Sequence, residues 1–128
     1  MLNVTGRMNQ PLYTQPLKQE PKVHVVTTTQ SFTRFADFYP YYLSEHSNST
    51  CRRLHFIGTT LVIFIAAFAM GSARWQLLWA VPIAGYSFAW IGHFFFEKNR
   101  PATFKHPFYS LLGDFVMYRD MVMGKVPF

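Results

Sequence analysis

Two long apolar runs follow one another in the middle of the chain. The first occupies residues 54–70 and the second occupies residues 75–96. A helix needs about 20 predominantly apolar residues to cross a bilayer, so the second run is long enough and the first is at the short end of the range. Only a tight turn from Gly71 to Arg74 separates them. The pattern therefore predicts a two-span transmembrane helical hairpin with antiparallel helices.

Less apolar segments flank the two runs. Residues 31–46 repeat aromatic side chains at helical spacing, which is typical of a helix at the membrane–water interface. Pro40 is expected to kink or split that helix. Residues 107–123 predict a C-terminal amphipathic helix, whereas residues 1–30 are polar, lack a helical period and predict a flexible N-terminal tail. The predicted fold is an all-α membrane protein, with residues 31–128 as its membrane domain.

The charge distribution agrees with a membrane protein. The formal net charge is +6, and half of all residues are hydrophobic. Basic residues gather outside the apolar runs, so they indicate a cytoplasmic side that holds both termini, and they favour contact with membrane lipid over nucleic acid. These flanking residues are Arg52, Arg53, Lys98, Arg100 and Lys105.

Histidines recur close to the polar ends of the two runs. His55 opens the first run, His93 lies near the end of the second, and His46 and His106 lie just outside. In an antiparallel hairpin all four belong to one side of the membrane. Imidazoles with nearby carboxylates suit non-haem iron and, less decisively, zinc. The alternative is that these are interfacial histidines that bond to helix ends and lipid phosphates.

A stripe of side chains leads into the charged end of the second run. Tyr86, Trp90, His93 and Glu97 are spaced by four, three and four residues, which places them on one face of a regular helix. Glu97 is a candidate to orient His93 beside a metal. Alternatively, Glu97 only pairs with Arg100 where the helix ends.

The remaining candidate donors are a thiol and several guanidinium groups. Cys51 lies one turn before His55, as a soft metal ligand or as an ordinary interfacial residue. Because it is the single cysteine, an intrachain disulfide and an all-cysteine zinc site are excluded. Arg52 and Arg53 are anchors of topology or groups that bind a substrate carboxylate, and Arg100 is a further candidate for the carboxylate.

Two segments together resemble the Mpo-type membrane family over roughly residues 32–126. They are YYLSEHSNSTCRRLHFIGT and GYSFAWIGHFFFEKNRPATF. The family has a histidine followed by an asparagine before the first span, a histidine opening that span, and a G-H-x-x-F-E-K-x-R-P-A block after the last. Here these marks are His46 with Asn48, His55, and the block from Gly92 to Ala102.

The resemblance implies a membrane-embedded iron(II)-dependent dioxygenase. Such an enzyme uses O2 for the α-oxidation of a 2-hydroxy fatty acid to the acid one carbon shorter, in sphingoid base degradation. The implied iron ligands are His46, His55 and His93, with His106 as a weaker candidate. The resemblance implies further roles. Glu97 would orient a ligand, and Arg52, Arg53 or Arg100 would neutralise the substrate carboxylate. Tyr86 and Trp90 would line the acyl chain.

The chain departs from the yeast-type sequence in its length. One short hairpin replaces additional hydrophobic sequence, which implies a different acyl-chain pocket or a second subunit in a homo-oligomer. The short form is more bacterial than fungal, so the expected location is the bacterial cytoplasmic membrane, or the endoplasmic reticulum membrane if the source is eukaryotic. Two other functions stay open: a non-catalytic lipid-binding or assembly module with structural histidines, and a zinc hydrolase.

Overall fold

The structure, a computed structural model, describes residues 31–128. In this part of the chain all regular secondary structure is helical, as predicted. The flexible tail predicted for residues 1–30 lies outside the described residues. The four α-helices are α1 (Phe35–Ser44), α2 (Ser49–Gly71), α3 (Ala80–Ile91) and α4 (Pro107–Val122).

The second apolar run is helical throughout but not regular. It begins as a 3-10 turn, Trp75–Trp79, continues as α3, and ends in a π-helical segment, Gly92–Glu97, hereafter the π segment. A π turn departs from the 3.6-residue period of an α-helix and is frequent at functional sites. His93 is consequently 2% exposed, whereas Tyr86 and Trp90 are 46% and 42% exposed. The single face predicted for these side chains does not form.

Glycines bring α2 and the second run into close contact. A Cβ atom on Gly58 would lie 3.0 Å from Cβ of Phe88, and one on Gly92 would lie 2.9 Å from Sγ of Cys51. The contacts move back along α2 as they advance along the second run, so the two helices are antiparallel. The start of α2 therefore lies beside the π segment, and this end carries the site described below.

Both helices of this pair are long and apolar enough to cross a membrane. The windows in Ser49–Gly71 and Trp75–Glu97 have mean hydropathies of 2.0 and 1.2. Large apolar side chains on their outer surfaces are exposed, among them Phe64 and Trp79. An apolar surface of this extent calls for a partner or a lipid environment.

The first helix runs through its proline. The sequence predicted that Pro40 kinks this helix or splits it near Tyr39; α1 includes Pro40 and is not split there. Proline removes one backbone hydrogen bond, but Phe38 and Tyr42 on either side of it are buried in the core. Their packing holds the helix together across Pro40. The core lies between α1 and α4 and contains Phe38, Tyr42, Ala102, Met117 and Met121.

Candidate metal centre

Three histidines meet where α2 begins and the π segment lies. Ring centroids are 4.5 Å apart for His46 and His55, 4.5 Å for His46 and His93, and 5.1 Å for His55 and His93. All three side chains are buried, as is Cys51. One potential ligand atom from each of these four residues lies within 4.8 Å of the others. We call the three histidines the three-histidine centre.

Each histidine of the centre has its Nδ1 atom bonded to an oxygen of the protein. A carbonyl, carboxylate or amide oxygen can only accept, so each ring carries a hydrogen on Nδ1, and in a neutral imidazole the lone pair is then on Nε2. Metal-binding histidines characteristically have this outer hydrogen bond. The three pairs are His46 with the Tyr42 carbonyl at 2.6 Å, His55 with Asp114 Oδ1 at 2.8 Å, and His93 with Asn99 Oδ1 at 2.8 Å.

The Nε2 atoms are the donors that a metal would need. Those of His46 and His55 are buried and have no hydrogen-bond partner within residues 31–128. An unsatisfied buried acceptor costs about 1–3 kcal/mol, and a bound cation would remove that cost at both atoms. Imidazole nitrogen suits iron and zinc. The centre therefore fits the iron ion implied by the sequence resemblance.

The surroundings of His46 and Tyr42 shift the pKa values of both side chains and so favour their neutral forms. Burial lowers the pKa of His46 well below its usual value, and the adjacent His55 and His93 lower it further. His46 is therefore a neutral ligand at neutral pH. Burial also raises the pKa of the Tyr42 hydroxyl, and the Asp114 carboxylate raises it further. Tyr42 consequently remains protonated and can donate a hydrogen bond.

Tyr42 and Asp114 connect α1 and α4 to the centre. Oδ1 of Asp114 accepts hydrogen bonds from the Tyr42 hydroxyl and from Nδ1 of His55. Tyr42 thus supports two histidines of the centre, His46 through its carbonyl and His55 through Asp114. The four-residue spacing of Tyr42 and His46 at the end of α1 was the one sequence signal for the first contact. The second contact depends on the packing of distant helices.

Asn99 is the side chain that orients His93. Its Nδ2 atom donates to the carbonyl and the carboxylate of Glu45, at 3.0 and 3.2 Å, so its Oδ1 atom is directed to His93. The chain turns back through Lys98, which has a left-handed φ of 57°. Spacing along a helix cannot predict a contact across such a turn, and Asn99 was missed for this reason.

Glu97 fastens the start of α2 instead of contacting Nδ1 of His93. Its carboxylate accepts from the backbone N–H of Asn48 and from Oγ of Ser47, the latter at 3.1 Å. Asn48 in turn caps α2 by accepting from the N–H groups of Thr50 and Cys51. Glu97 therefore ties the His46 segment to the His93 segment, and the orienting role predicted for it belongs to Asn99.

Replacing Asn99 by alanine should weaken metal binding without removing a ligand. The His93 ring would lose the acceptor that fixes its tautomer, and such outer contacts typically contribute 10- to 100-fold to metal affinity. We expect a loss of about that size in an iron(II) titration of the purified variant. Glu97→Gln is the matched control, and it should retain metal affinity closer to wild type. Equal losses in both variants would contradict the assignment of Asn99.

A groove of about 260 Å³ extends from the centre along the helix pair. α2 forms its floor, and α3 and α4 form its walls. His55 and Asp114 belong to its lining, so the groove reaches the three-histidine centre. Farther along, apolar and small residues line it: Val62, Val81, Gly85, Ala89, Leu111 and Phe115.

The three arginines predicted to bind a carboxylate are placed elsewhere. Among the residues that the structure describes, those that line the groove do not include Arg52, Arg53 or Arg100. Arg52 donates to the carbonyls of His46 and Ser47, at 2.9 and 2.6 Å. Arg53 and Arg100 lie over aromatic rings. Arg52 thus supports the segment that carries His46, and the other two arginines are exposed.

The other predicted site residues are also separated by the fold. Tyr86 lines the groove, whereas Trp90 lies beside it with its ring centroid 5.8 Å from that of Tyr86. His106 is outside the centre. Its ring packs against Phe32 and Phe38, at centroid distances of 5.3 and 5.5 Å. The structure therefore joins three of the four predicted histidines.

Comparison with known proteins gives one match. The family model described as 2-hydroxy-palmitic acid dioxygenase Mpo1-like matches residues 32–126. No curated protein and no solved structure matches the chain. The matched segment includes all four helices and every residue of the three-histidine centre. The chain belongs to the 2-hydroxy-palmitic acid dioxygenase Mpo1-like family.

Proposed function

We propose that the protein is an iron(II)-dependent dioxygenase that performs the α-oxidation of 2-hydroxy fatty acids. The observation that carries this proposal is the set of three converging imidazoles whose Nδ1 atoms are bonded to protein oxygens. Two of their Nε2 atoms are buried without a partner in the described part of the chain. The family name supplies the substrate class.

The proposed environment is a membrane crossed by α2 and the second helical run. Their exposed apolar surfaces support this placement. The basic residues beside the three-histidine centre support a cytoplasmic location for that end and for both termini. α1 and α4 would lie at the interface there, since α1 is rich in aromatic residues. The membrane is the bacterial cytoplasmic membrane, or that of the endoplasmic reticulum in a eukaryote.

His46, His55 and His93 would hold the iron through Nε2. Iron(II) bound there would supply redox chemistry with O2 and a positive charge for the substrate's carboxylate and hydroxyl. Asp114, together with Tyr42, keeps the imidazole of His55 in its orientation. Each imidazole must be held in a fixed orientation for this purpose, and the Nδ1 contacts supply that orientation.

The carboxylate and hydroxyl of the substrate would bind at the centre, and its acyl chain would lie in an apolar environment. In balance, one O2 converts the 2-hydroxy acid to the acid one carbon shorter, carbon dioxide and water. Tyr86 lines the apolar groove that leads away from the centre, which supports its role beside the acyl chain. Trp90 would support Tyr86 from outside through their ring contact.

Oxygen uptake by the purified protein tests this function. The protein is reconstituted anaerobically with iron(II), given 2-hydroxypalmitate and then exposed to O2. We expect uptake that depends on substrate and is matched by the acid one carbon shorter. Palmitate without the hydroxyl is the control substrate, and it should cause no comparable uptake. Stoichiometric zinc with no O2 dependence would indicate a hydrolase instead. Failure to bind iron would favour a lipid-binding or assembly module.

A further inference from the structure

The groove beside the three-histidine centre has a polar end and an apolar end. His55 and Asp114 mark the polar end. Along α3 the lining residues Ala89, Gly85 and Val81 follow at intervals of one turn, away from His93. At a rise of 1.5 Å per residue, Gly85 is about 12 Å and Val81 about 18 Å along the helix from His93. The groove therefore complements a molecule with a polar head and a long apolar tail.

Gly85 is the residue of this lining that has no side chain. Among residues 31–128, and apart from its own helix backbone, the one heavy atom within 4 Å of a Cβ placed on it is Cγ2 of Val62, at the ordinary contact distance of 3.4 Å. Gly58 and Gly92 are different, because a Cβ on either would meet the opposite helix at 3.0 Å or less. The latter two glycines serve helix contact. The missing side chain of Gly85 instead leaves space in the groove.

We propose that the acyl chain of the 2-hydroxy fatty acid lies in this groove between α3 and α4, and that Gly85 determines how long a chain it accepts. The inference rests on the proposed function for the identity of the head group. It adds the location of the chain and the residue that sets specificity. A larger side chain at Gly85 would close the groove beyond that point, and one at Val81 would close it a turn later.

Photocrosslinking tests the location of the chain independently of turnover. The probe is 2-hydroxypalmitate with a diazirine at its terminal carbon, bound under anaerobic conditions to the iron(II)-treated protein in nanodiscs. We expect mass spectrometry to place the label at the distal end of the groove, on residues such as Val81. In Gly85→Leu that label should fall roughly tenfold or more, because excluding two or three methylenes has an effect of that size.

Two controls make the result specific. Ser87→Leu adds the same side chain to an exposed position of α3 outside the groove lining, and it should retain the wild-type labelling. A 2-hydroxyoctanoate probe, which is too short to pass Gly85, should label wild type and Gly85→Leu equally. Val81→Phe provides a second variant if Gly85→Leu does not fold, and it should reduce labelling by the long probe only.

The outcomes separate this inference from the proposed function. Label spread over outward-facing residues such as Phe64, and unchanged in Gly85→Leu, would overturn the groove assignment. Oxygen uptake by wild type would then still support the dioxygenase. Groove labelling that Gly85→Leu abolishes, in a protein without oxygen uptake, would support the chain site and reject the catalytic role.

Discussion

We expect His93→Ala to abolish stoichiometric iron binding while the protein still inserts into the membrane. The variant loses one of three converging imidazoles, and removing a ligand should cost at least the roughly 100-fold that an outer-contact loss can reach. Insertion would depend on the hydropathy of the two apolar runs, which replacing His93 by alanine does not lower. His46→Ala and His55→Ala should behave in the same way. The measurement is metal content after iron(II) loading and desalting, together with membrane fractionation.

His106→Ala is the matched control for that experiment. This histidine packs against Phe32 and Phe38 outside the three-histidine centre. It should therefore retain iron at the wild-type level. Retained iron in His93→Ala would show that His93 is not a ligand. Loss of iron in His106→Ala would make His106 a ligand, although the structure places it outside the centre.

Gly92→Ala should both destabilise the protein and weaken metal binding. Its Cβ would lie 2.9 Å from Sγ of Cys51 and 3.3 Å from Cα of Cys51, so the start of α2 must move away from the π segment. Overpacking of this kind typically costs about 1–3 kcal/mol. Since His55 and His93 belong to the two segments that would separate, the iron affinity should fall as well. The thermal midpoint in detergent and an iron(II) titration measure the two effects.

Two further variants identify the cause of that effect. Gly71→Ala adds the same methyl group where, in the described part of the chain and apart from its own helix and neighbours, no heavy atom lies within 4 Å, so it should leave both measurements near wild type. Cys51→Ala combined with Gly92→Ala removes the Sγ contact and should recover part of the stability. A combined variant as unstable as the sum of the two single variants would show that the Cys51 contact is not responsible.

The parts of the site that depend on the order of apolar segments could be predicted from the sequence. A short turn between two apolar runs makes the helices antiparallel, and this places His55 and His93 at the same end. His46 joins them because only a few residues separate α1 from α2. Predicting which ends of the helices lie together requires only the helical rise and the length of the turn.

The contacts that orient the histidines could not be predicted in the same way. Asn99 reaches His93 because the chain leaves the α-helical period in the π segment and then reverses at Lys98. Asp114 reaches His55 from a helix distant in sequence. Both depend on backbone geometry and tertiary packing, which the spacing of residues does not encode. The uninterrupted α1 at Pro40 is a further case in which packing overrides a local preference.

X-ray absorption spectroscopy of the iron(II)-loaded protein tests the central claim most directly. The account predicts imidazole scattering from His46, His55 and His93, with the remaining ligands from oxygen. The imidazole signal should decrease in each alanine variant that still retains iron. Scattering without imidazole would contradict the three-histidine centre. A sulfur ligand would instead make Cys51 part of the coordination and contradict a site built from the three histidines alone.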